Sequence, residues 1–196
     1  MATTSKGLNI NRKRFTFENF TFNMLLPIIK YGSSLLRQKT LEVSSKEKYR
    51  ELVDNLFDSL NTKEGIGLAA PQIGVLKKIF VIDVSFNEEK EDEVQHFRKA
   101  FINPSVLRKS DEEVYYKEGC LSIPGIYEDV LRPESITVNY FDSDFNFIEE
   151  NLDGIVARVF QHEYDHLEGV LFIDRLNPLK RKLLSGKLSQ IKKSDK

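Results

Sequence analysis

The sequence predicts an α+β fold in which short, mainly antiparallel strands pack around a central helix, with a further helix near each end. Three observations indicate this fold class. Apolar residues recur at helical spacing over 46–61, a continuous β-branched run at 79–84 is typical of a buried strand, and short strand candidates separated by turn residues occupy 113–149.

The bulk composition limits the class of protein. With 196 residues, 40% of them hydrophobic and 30% charged, the chain suits one globular domain, which we place at 24–196. The formal net charge of −1 gives no general attraction to DNA or an anionic membrane, and no apolar run reaches the roughly 20 residues of a transmembrane helix. A single cysteine excludes an intramolecular disulfide and favours a reducing compartment.

Residues 1–23 differ in composition from the rest of the chain. They are basic and rich in hydroxyl side chains, with Glu18 as the only acidic residue. We expect a poorly ordered N-terminal extension, with residues 1–14 mobile. This composition also suits a transit peptide, but the signal is weak, so a cytoplasmic location is favoured over an organelle.

The first helix is predicted over residues 46–61. Ser44 followed by Glu47 is a plausible capping box, and the helix breaks at Gly65-Ile66-Gly67. Its core-facing stripe consists of Leu52, Val53, Leu56, Phe57 and Leu60.

Acidic residues crowd the stretch 87–97, which lacks an apolar period and is predicted to be a solvated loop. His96 at its end receives no function. Turn residues at Pro133 and at Asp142-Ser143-Asp144 then separate strand candidates at 113–117, 126–131, 135–141 and 145–149.

The central helix follows these strands. Asn151 or Asp153 can cap its start, Gly169 suits its end, and Asn177-Pro178 opens a last helix. The apolar stripe of the last helix is Leu179, Leu183, Leu188 and Ile191. Its outer face is basic through Lys180, Arg181, Lys182, Lys187, Lys192 and Lys193. That face is most simply solvated, with a contact to the ribosome or RNA as the less favoured alternative.

The chemistry of the chain is concentrated in the stretch 161–169, where His162, Glu163 and His166 form a His-Glu-x-x-His pattern. Positions i and i+4 lie on one face of a helix, so both imidazoles can bind one metal ion while Glu163 serves a metal-bound water. An ordinary surface helix is the alternative, but with only three histidines in the chain a chance pattern is rare. The central helix is therefore predicted to bind metal.

Two histidines do not complete a catalytic metal site, and Cys120 is the candidate for the third ligand. A thiolate binds zinc or ferrous iron well, and a Cys-His-His set leaves a fourth position open for water. Two alternatives are a nucleophilic Cys120 and an inert buried one. The nucleophile would need a histidine, and both candidate histidines are committed by their helical pairing.

Three stretches resemble the signature motifs of peptide deformylases, in the family's order and spacing. They are Gly65-Ile66-Gly67-Leu68-Ala69-Ala70-Pro71-Gln72, Glu118-Gly119-Cys120-Leu121-Ser122 and Gln161-His162-Glu163-Tyr164-Asp165-His166. The similarity runs from about Met24 to about Leu188, which is nearly the whole chain after the N-terminal extension.

The resemblance implies hydrolysis of the N-formyl-methionine of a nascent polypeptide to formate and a free amine. Glu163 would deprotonate the metal-bound water and protonate the departing amine, while the Leu121 N–H and the Gln72 side chain stabilise the oxyanion. The substrate-binding residues that it implies are Ile66, Gly67, Tyr116, Glu118, Gly119, Tyr127 and Val159. We also expect Glu64 and Arg132 to pair across the mouth of the site.

The resemblance also implies Fe²⁺ as the cellular metal, with Zn²⁺ or Ni²⁺ able to replace it in isolated protein. Two competing functions stay open. A zinc peptidase shares the His-Glu-x-x-His helix but takes its third ligand downstream, where Glu168 is available. A binding module would hold a structural metal and dock its basic C-terminal helix on RNA. Cys120→Ala should abolish metal binding in a deformylase and leave a peptidase largely intact. Glu163→Ala should change nothing in a binding module, whereas the enzyme should keep its metal and lose nearly all turnover.

Overall fold

The computed structural model describes residues 26–45, 49–63, 65–87 and 94–194, so the extension expected at 1–23 lies outside it. In chain order the elements are α1 (Arg50–Asn61), β1 (Gly67–Ala69), β2 (Ile79–Asn87), β3 (Val94–Lys109), β4 (Glu113–Cys120), β5 (Ile123–Pro133), β6 (Ile136–Phe141), β7 (Phe147–Leu152), α2 (Gly154–Leu167), α3 (Pro178–Leu183) and α4 (Ser185–Ser194). Short 3-10 helices lie at Ser34–Arg37, Ala70–Ile73 and Phe172–Arg175. The antiparallel strands and several helices confirm the α+β prediction.

Five strands form an antiparallel sheet in the order β1-β2-β3-β6-β7. Its register places Phe80 opposite Phe101, and the two rings stack with centroids 4.9 Å apart. Phe160 of α2 meets both rings edge-on, at 5.0 and 5.1 Å. Because aromatic pairs bury a large apolar area in a specific geometry, this cluster anchors α2 on the sheet.

The central helix α2 is buried along almost its whole length, including Glu163, Asp165 and both histidines. Polar groups in such a position need partners, since burying them unpaired is costly. Asp153 occupies the predicted N-cap position, but its side chain makes no capping bond. Gly169 follows the helix with φ +73°, in agreement with its predicted role as the stop.

Strands β4 and β5 form a separate two-stranded hairpin. A register shift between Gly119 and Cys120 leaves Cys120 paired with Ile123, with Leu121 and Ser122 as the turn. The hairpin packs into its own core cluster, where Ile123 and Val130 meet Phe172. This packing fixes Cys120 at the closed end of the hairpin.

The predicted loop at 87–97 is wrong at both ends. Strands β2 and β3 stay paired as far as Asn87 opposite Val94, and only 88–93, which lie outside the described residues, separate them. His96 and Arg98 both bond Asp83 across this ribbon. The first helix begins at Arg50 rather than at 46, and Glu47 of the proposed capping box lies outside the described residues.

The predicted last helix is two helices, with the break at Leu184. This break invalidates half of the proposed apolar stripe, because Leu179 and Leu183 are 69% and 76% exposed. Leu184 and Leu188 are buried instead, and Ile191 packs against the same cluster. Within the described ranges, no helix has the length and apolar character needed to cross a membrane.

Candidate active site

The predicted metal ligands come together at the junction of α2 and the β4–β5 hairpin. The donor atoms of Cys120, His162 and His166 all lie within 4.8 Å of one another. Cys120 Sγ is 3.3 Å from His166 Nε2, and the two imidazole rings are 5.2 Å apart. Glu168, the ligand that a peptidase would use, sits at the end of α2 and pairs with Lys39 at 2.9 Å.

Glu118 orients the first histidine. One of its carboxylate oxygens lies 2.9 Å from His162 Nδ1, so the histidine donates Nδ1–H and keeps Nε2 free to bind a metal. Glu118 is 5% exposed and also accepts hydrogen bonds from Arg132 and Arg158. Burial alone would raise its pKa, but the bonds from His162 and Arg132 outweigh burial and hold the pKa well below its usual range. The Glu118 side chain is therefore engaged by His162, Arg132 and Arg158, and the predicted substrate contact of Glu118 stays a prediction.

Arg132 lies inside the protein rather than at the mouth of the site. It is 3% exposed, donates to both oxygens of Glu118 at 2.7 and 3.0 Å, and reaches Asp165 at 2.7 Å. Burial lowers its pKa, but the two carboxylates more than compensate and raise it. The expected partner Glu64 lies outside the described residues, while the position of Arg132 contradicts a pairing at the surface.

The donor set fits a metal cation. Burial holds the pKa of His166 well below its ordinary value, so the ring is neutral and retains a lone pair. Burial also lowers the pKa of His162, but hydrogen bonds to Cys120 and Glu118 outweigh it and raise the pKa well above its ordinary value. The surroundings of His162 thus favour positive charge, which a divalent ion supplies in place of a proton.

Glu163, the predicted general base, is buried, and within the described part of the chain one of its carboxylate oxygens lacks a partner. It is 3% exposed, and its Oε2 has no hydrogen-bond partner among the described residues. Desolvation raises its pKa to about 7, although His162 opposes the shift. On β1, Gly67 makes room for it, because a Cβ there would lie 2.5 Å from Glu163 Oε1 and 2.8 Å from Val159 Cγ1. A buried, unpaired carboxylate with this pKa suits proton transfer near neutral pH.

Gln72 and Leu121 both lie next to Cys120. Gln72 Oε1 accepts the Ala69 N–H at 2.8 Å, which turns Nε2 towards Cys120 Sγ at 3.5 Å and Ser122 Oγ at 3.3 Å. Leu121 follows Cys120 directly in the hairpin turn. Both proposed oxyanion residues therefore adjoin the metal ligands.

Five of the six remaining predicted substrate residues fall into two groups. Gly67 and Val159 lie beside Glu163, with Ile66 next along the chain and 44% exposed. Near Cys120, the exposed Tyr127 covers Gly119, where a Cβ would lie 2.5 Å from its ring. The sixth predicted residue is Tyr116. Its ring lies 4.9 Å under the guanidinium of Arg158.

Sequence reasoning missed the charged groups behind the ligands. Arg158 is buried on α2 and donates to Glu118 at 3.0 Å, while Asp165 accepts from Arg132 and Arg175. A signal was present for both, since charged residues inside a helix predicted to be central need buried partners of opposite sign. The sequence does not indicate which partners they are.

Comparisons with known proteins agree with this arrangement. Residues 25–182 match the family model described as Polypeptide deformylase. A peptide deformylase of Cytophaga hutchinsonii is 45% identical over 175 residues, which cover 88% of this chain and 93% of that protein. The peptide deformylase of Christiangramia forsetii is 42% identical over 178 residues, which cover 87% of this chain and 91% of that protein.

Solved structures show the same similarity. A crystal structure of peptide deformylase from Ehrlichia chaffeensis matches with a TM-score of 0.77 at 36% identity, covering 87% of this chain and 98% of that one. A plant peptide deformylase matches with a TM-score of 0.78 at 34% identity, covering 90% and 94%. The chain thus belongs to the peptide deformylase family.

Proposed function

We propose that this chain hydrolyses the formyl amide of N-formyl-methionyl peptides at a divalent metal ion held by Cys120, His162 and His166. The family removes the N-formyl group from nascent peptides, and membership extends that coarse activity to this chain. The observation that carries the finer proposal is the convergence of three donor atoms within 4.8 Å beside a buried, unpaired glutamate.

Both histidine ligands are held by the protein in a form that can bind a cation. Glu118 fixes the tautomer of His162, and burial keeps His166 neutral. A divalent ion bound there would lower the pKa of a water molecule and polarise the formyl carbonyl. We propose Fe²⁺ as the cellular ion, with Zn²⁺ or Ni²⁺ able to replace it in isolated protein, because thiolate and imidazole ligands suit all three.

Glu163 is the proposed general base and then the general acid. Its pKa of about 7 allows it to accept a proton from the attacking water at neutral pH and to pass that proton to the departing amine. The Gln72 side-chain amide and the Leu121 N–H are the proposed donors to the developing oxyanion, which needs donors that are already positioned before the reaction.

The formyl-methionine side chain requires an apolar surface beside Glu163. Val159 and Gly67 provide contacts there, and we propose that Ile66, Tyr116, Gly119 and Tyr127 complete the binding of the peptide. Because Ile66 and Tyr127 are largely exposed, they are suited to the more distal part of the substrate.

We place the reaction in the cytoplasm. The basic face of α3 and α4 is proposed as a ribosome contact, for which co-sedimentation with ribosomes is the test.

The direct test is formate release from formyl-Met-Ala-Ser by anaerobically purified protein whose metal content has been measured. Acetyl-Met-Ala-Ser and unformylated Met-Ala-Ser are the matched controls. We expect formate from the formyl peptide alone. The absence of release from metal-loaded protein would refute the proposed function, and cleavage of an internal peptide bond would favour the peptidase alternative.

Two variants separate the proposed roles within this assay. Glu163→Gln should retain the metal and lose turnover by at least about 10³-fold, because the general base is absent. Cys120→Ala should lose the metal itself. If Glu163→Gln released formate as fast as the parent, Glu163 would not be the general base.

A further inference from the structure

Residues 29–31 connect the two proposed oxyanion donors through three hydrogen bonds. The Ile29 N–H donates to the Gln72 carbonyl at 2.7 Å, and the Tyr31 N–H donates to the Ser122 carbonyl at 2.8 Å. Between them, Lys30 Nζ donates to the Leu121 carbonyl at 2.8 Å. We call residues 29–31 the bracing segment.

The bracing segment holds the hairpin turn by both of its carbonyls. Leu121 and Ser122 are the two turn residues. Hydrogen bonds to their carbonyl groups therefore restrain the Leu121–Ser122 and Ser122–Ile123 peptide planes. The Leu121 N–H belongs to the peptide plane that leads into this turn. Its direction therefore depends on the turn that the bracing segment restrains.

The same segment restrains the second donor. Gln72 lies in the 3-10 helix that follows β1, whereas Leu121 lies in the turn that follows β4, so the two donors adjoin different sheets. Ile29 holds the Gln72 backbone, and Ala69 and Ser122 hold its side-chain amide. One short stretch of chain thus sets the distance between the two donors, a distance that matters because an oxyanion hole works only when its donors are already in place.

Lys30 is the side chain through which the segment acts on the turn. It is half-buried, and among the described residues no carboxylate forms an ion pair with it. Its ammonium charge therefore acts on the Leu121 carbonyl without neutralisation. The carbonyl that Lys30 contacts belongs to Leu121, the same residue whose N–H is the proposed donor.

We propose that Lys30 is a positioning residue for the oxyanion hole, which holds the Leu121-Ser122 turn and places a positive charge behind it. This inference rests on the proposed function, in which Leu121 and Gln72 are the donors. Lys30 does not touch the substrate, so its removal should lower the rate of the chemical step and leave substrate binding and metal content intact.

The test compares Lys30→Met, Lys30→Arg and Lys39→Met in the full chain. Methionine keeps the length and apolar character of the stem but removes the charge and the donor. We expect Lys30→Met to lower kcat for formyl-Met-Ala-Ser about tenfold, less than the 10²–10³ lost with a donor itself, with KM and metal content unchanged. Arginine should restore most of the rate. Lys39, which pairs with Glu168 outside the segment, is the matched control and should behave as the parent.

Three outcomes of the rate and stability measurements would overturn the inference. They are an unchanged kcat in Lys30→Met, a change confined to KM, and an equal loss in Lys30→Met and Lys30→Arg together with a lower melting temperature. Hydrogen exchange at the Leu121 and Ser122 amides is the second readout and should be faster in Lys30→Met. It separates the two proposals, because a parent chain that releases no formate would refute the function, while unchanged exchange would refute the bracing role.

Discussion

Gly67 shows how the lack of a side chain positions the proposed general base. A Cβ at this site would collide with Glu163 Oε1 and Val159 Cγ1. We expect Gly67→Ala to displace the carboxylate and lower kcat/KM about 10²-fold, while the metal stays bound. Formate release and metal analysis measure both effects. Gly186→Ala, where a Cβ meets nothing within 4 Å, is the matched control. Full activity of Gly67→Ala would show that Glu163 does not need this space.

The pH dependence of turnover should follow the carboxyl of Glu163. A general base must be ionised, so kcat/KM falls as the pH falls through its pKa. Burial raises that pKa to about 7, and a divalent cation nearby acts in the opposite direction. We therefore expect the acid limb between the ordinary value of 4.5 and about 7.

Rates of formate release from about pH 4 to pH 9 check this expectation. Glu163→Gln lacks the titrating group, so its residual rate should be flat across the window. An acid limb that persists in this variant would assign the titration to another group.

The three proposed metal ligands could be predicted from the sequence because each carries a strong local signal. His162 and His166 are spaced for one helix face, and Cys120 is the single thiol of the chain. The environment of Glu118 was not predictable. Its contacts with Arg132 and Arg158 span 14 and 40 residues of sequence. The first depends on how the two strands of the hairpin pair, and the second on how the hairpin packs against α2.

At the scale of elements, the buried charges are the link between α2 and the hairpin. Arg132 joins Glu118 of β4 to Asp165 of α2. Arg132→Met would leave both carboxylates short of a partner, and we expect it to destabilise the fold by about 3 kcal/mol. Urea denaturation measures this loss. Arg50→Met, which breaks an exposed pair with Asp144, should leave the denaturation midpoint unchanged. Equal effects would show that burial does not matter here.

The two errors in predicting the elements have different physical causes. The ribbon around Asp83 and His96 has charged residues bonded along it, so the apolar alternation that indicates a strand is weak there. Leu179 and Leu183 suggested one stripe, but the break at Leu184 changes which leucines face inward. Strands with strong apolar character, such as the one at 79–84, were located within a few residues.

For the whole molecule, the proposed metal would connect two separately packed parts. Cys120 belongs to the hairpin with its own core cluster, whereas the histidines belong to the helix anchored on the five-stranded sheet. Chelation should therefore lower the melting temperature, by about 10 °C if the ion is present at a thousandfold its Kd. Calorimetry with and without EDTA measures the shift. Cys120→Ala is the control and should not respond to EDTA. An equal response in this variant would indicate a second metal.

The position of Cys120 has a practical consequence. Since the chain contains one cysteine, one equivalent of a thiol-reactive dye can label at most one atom per molecule. Metal coordination protects a thiolate from such reagents. The labelled fraction of a native sample thus measures the fraction of molecules that lack a bound metal ion. Metal occupancy can therefore be determined without adding a reporter group to the protein.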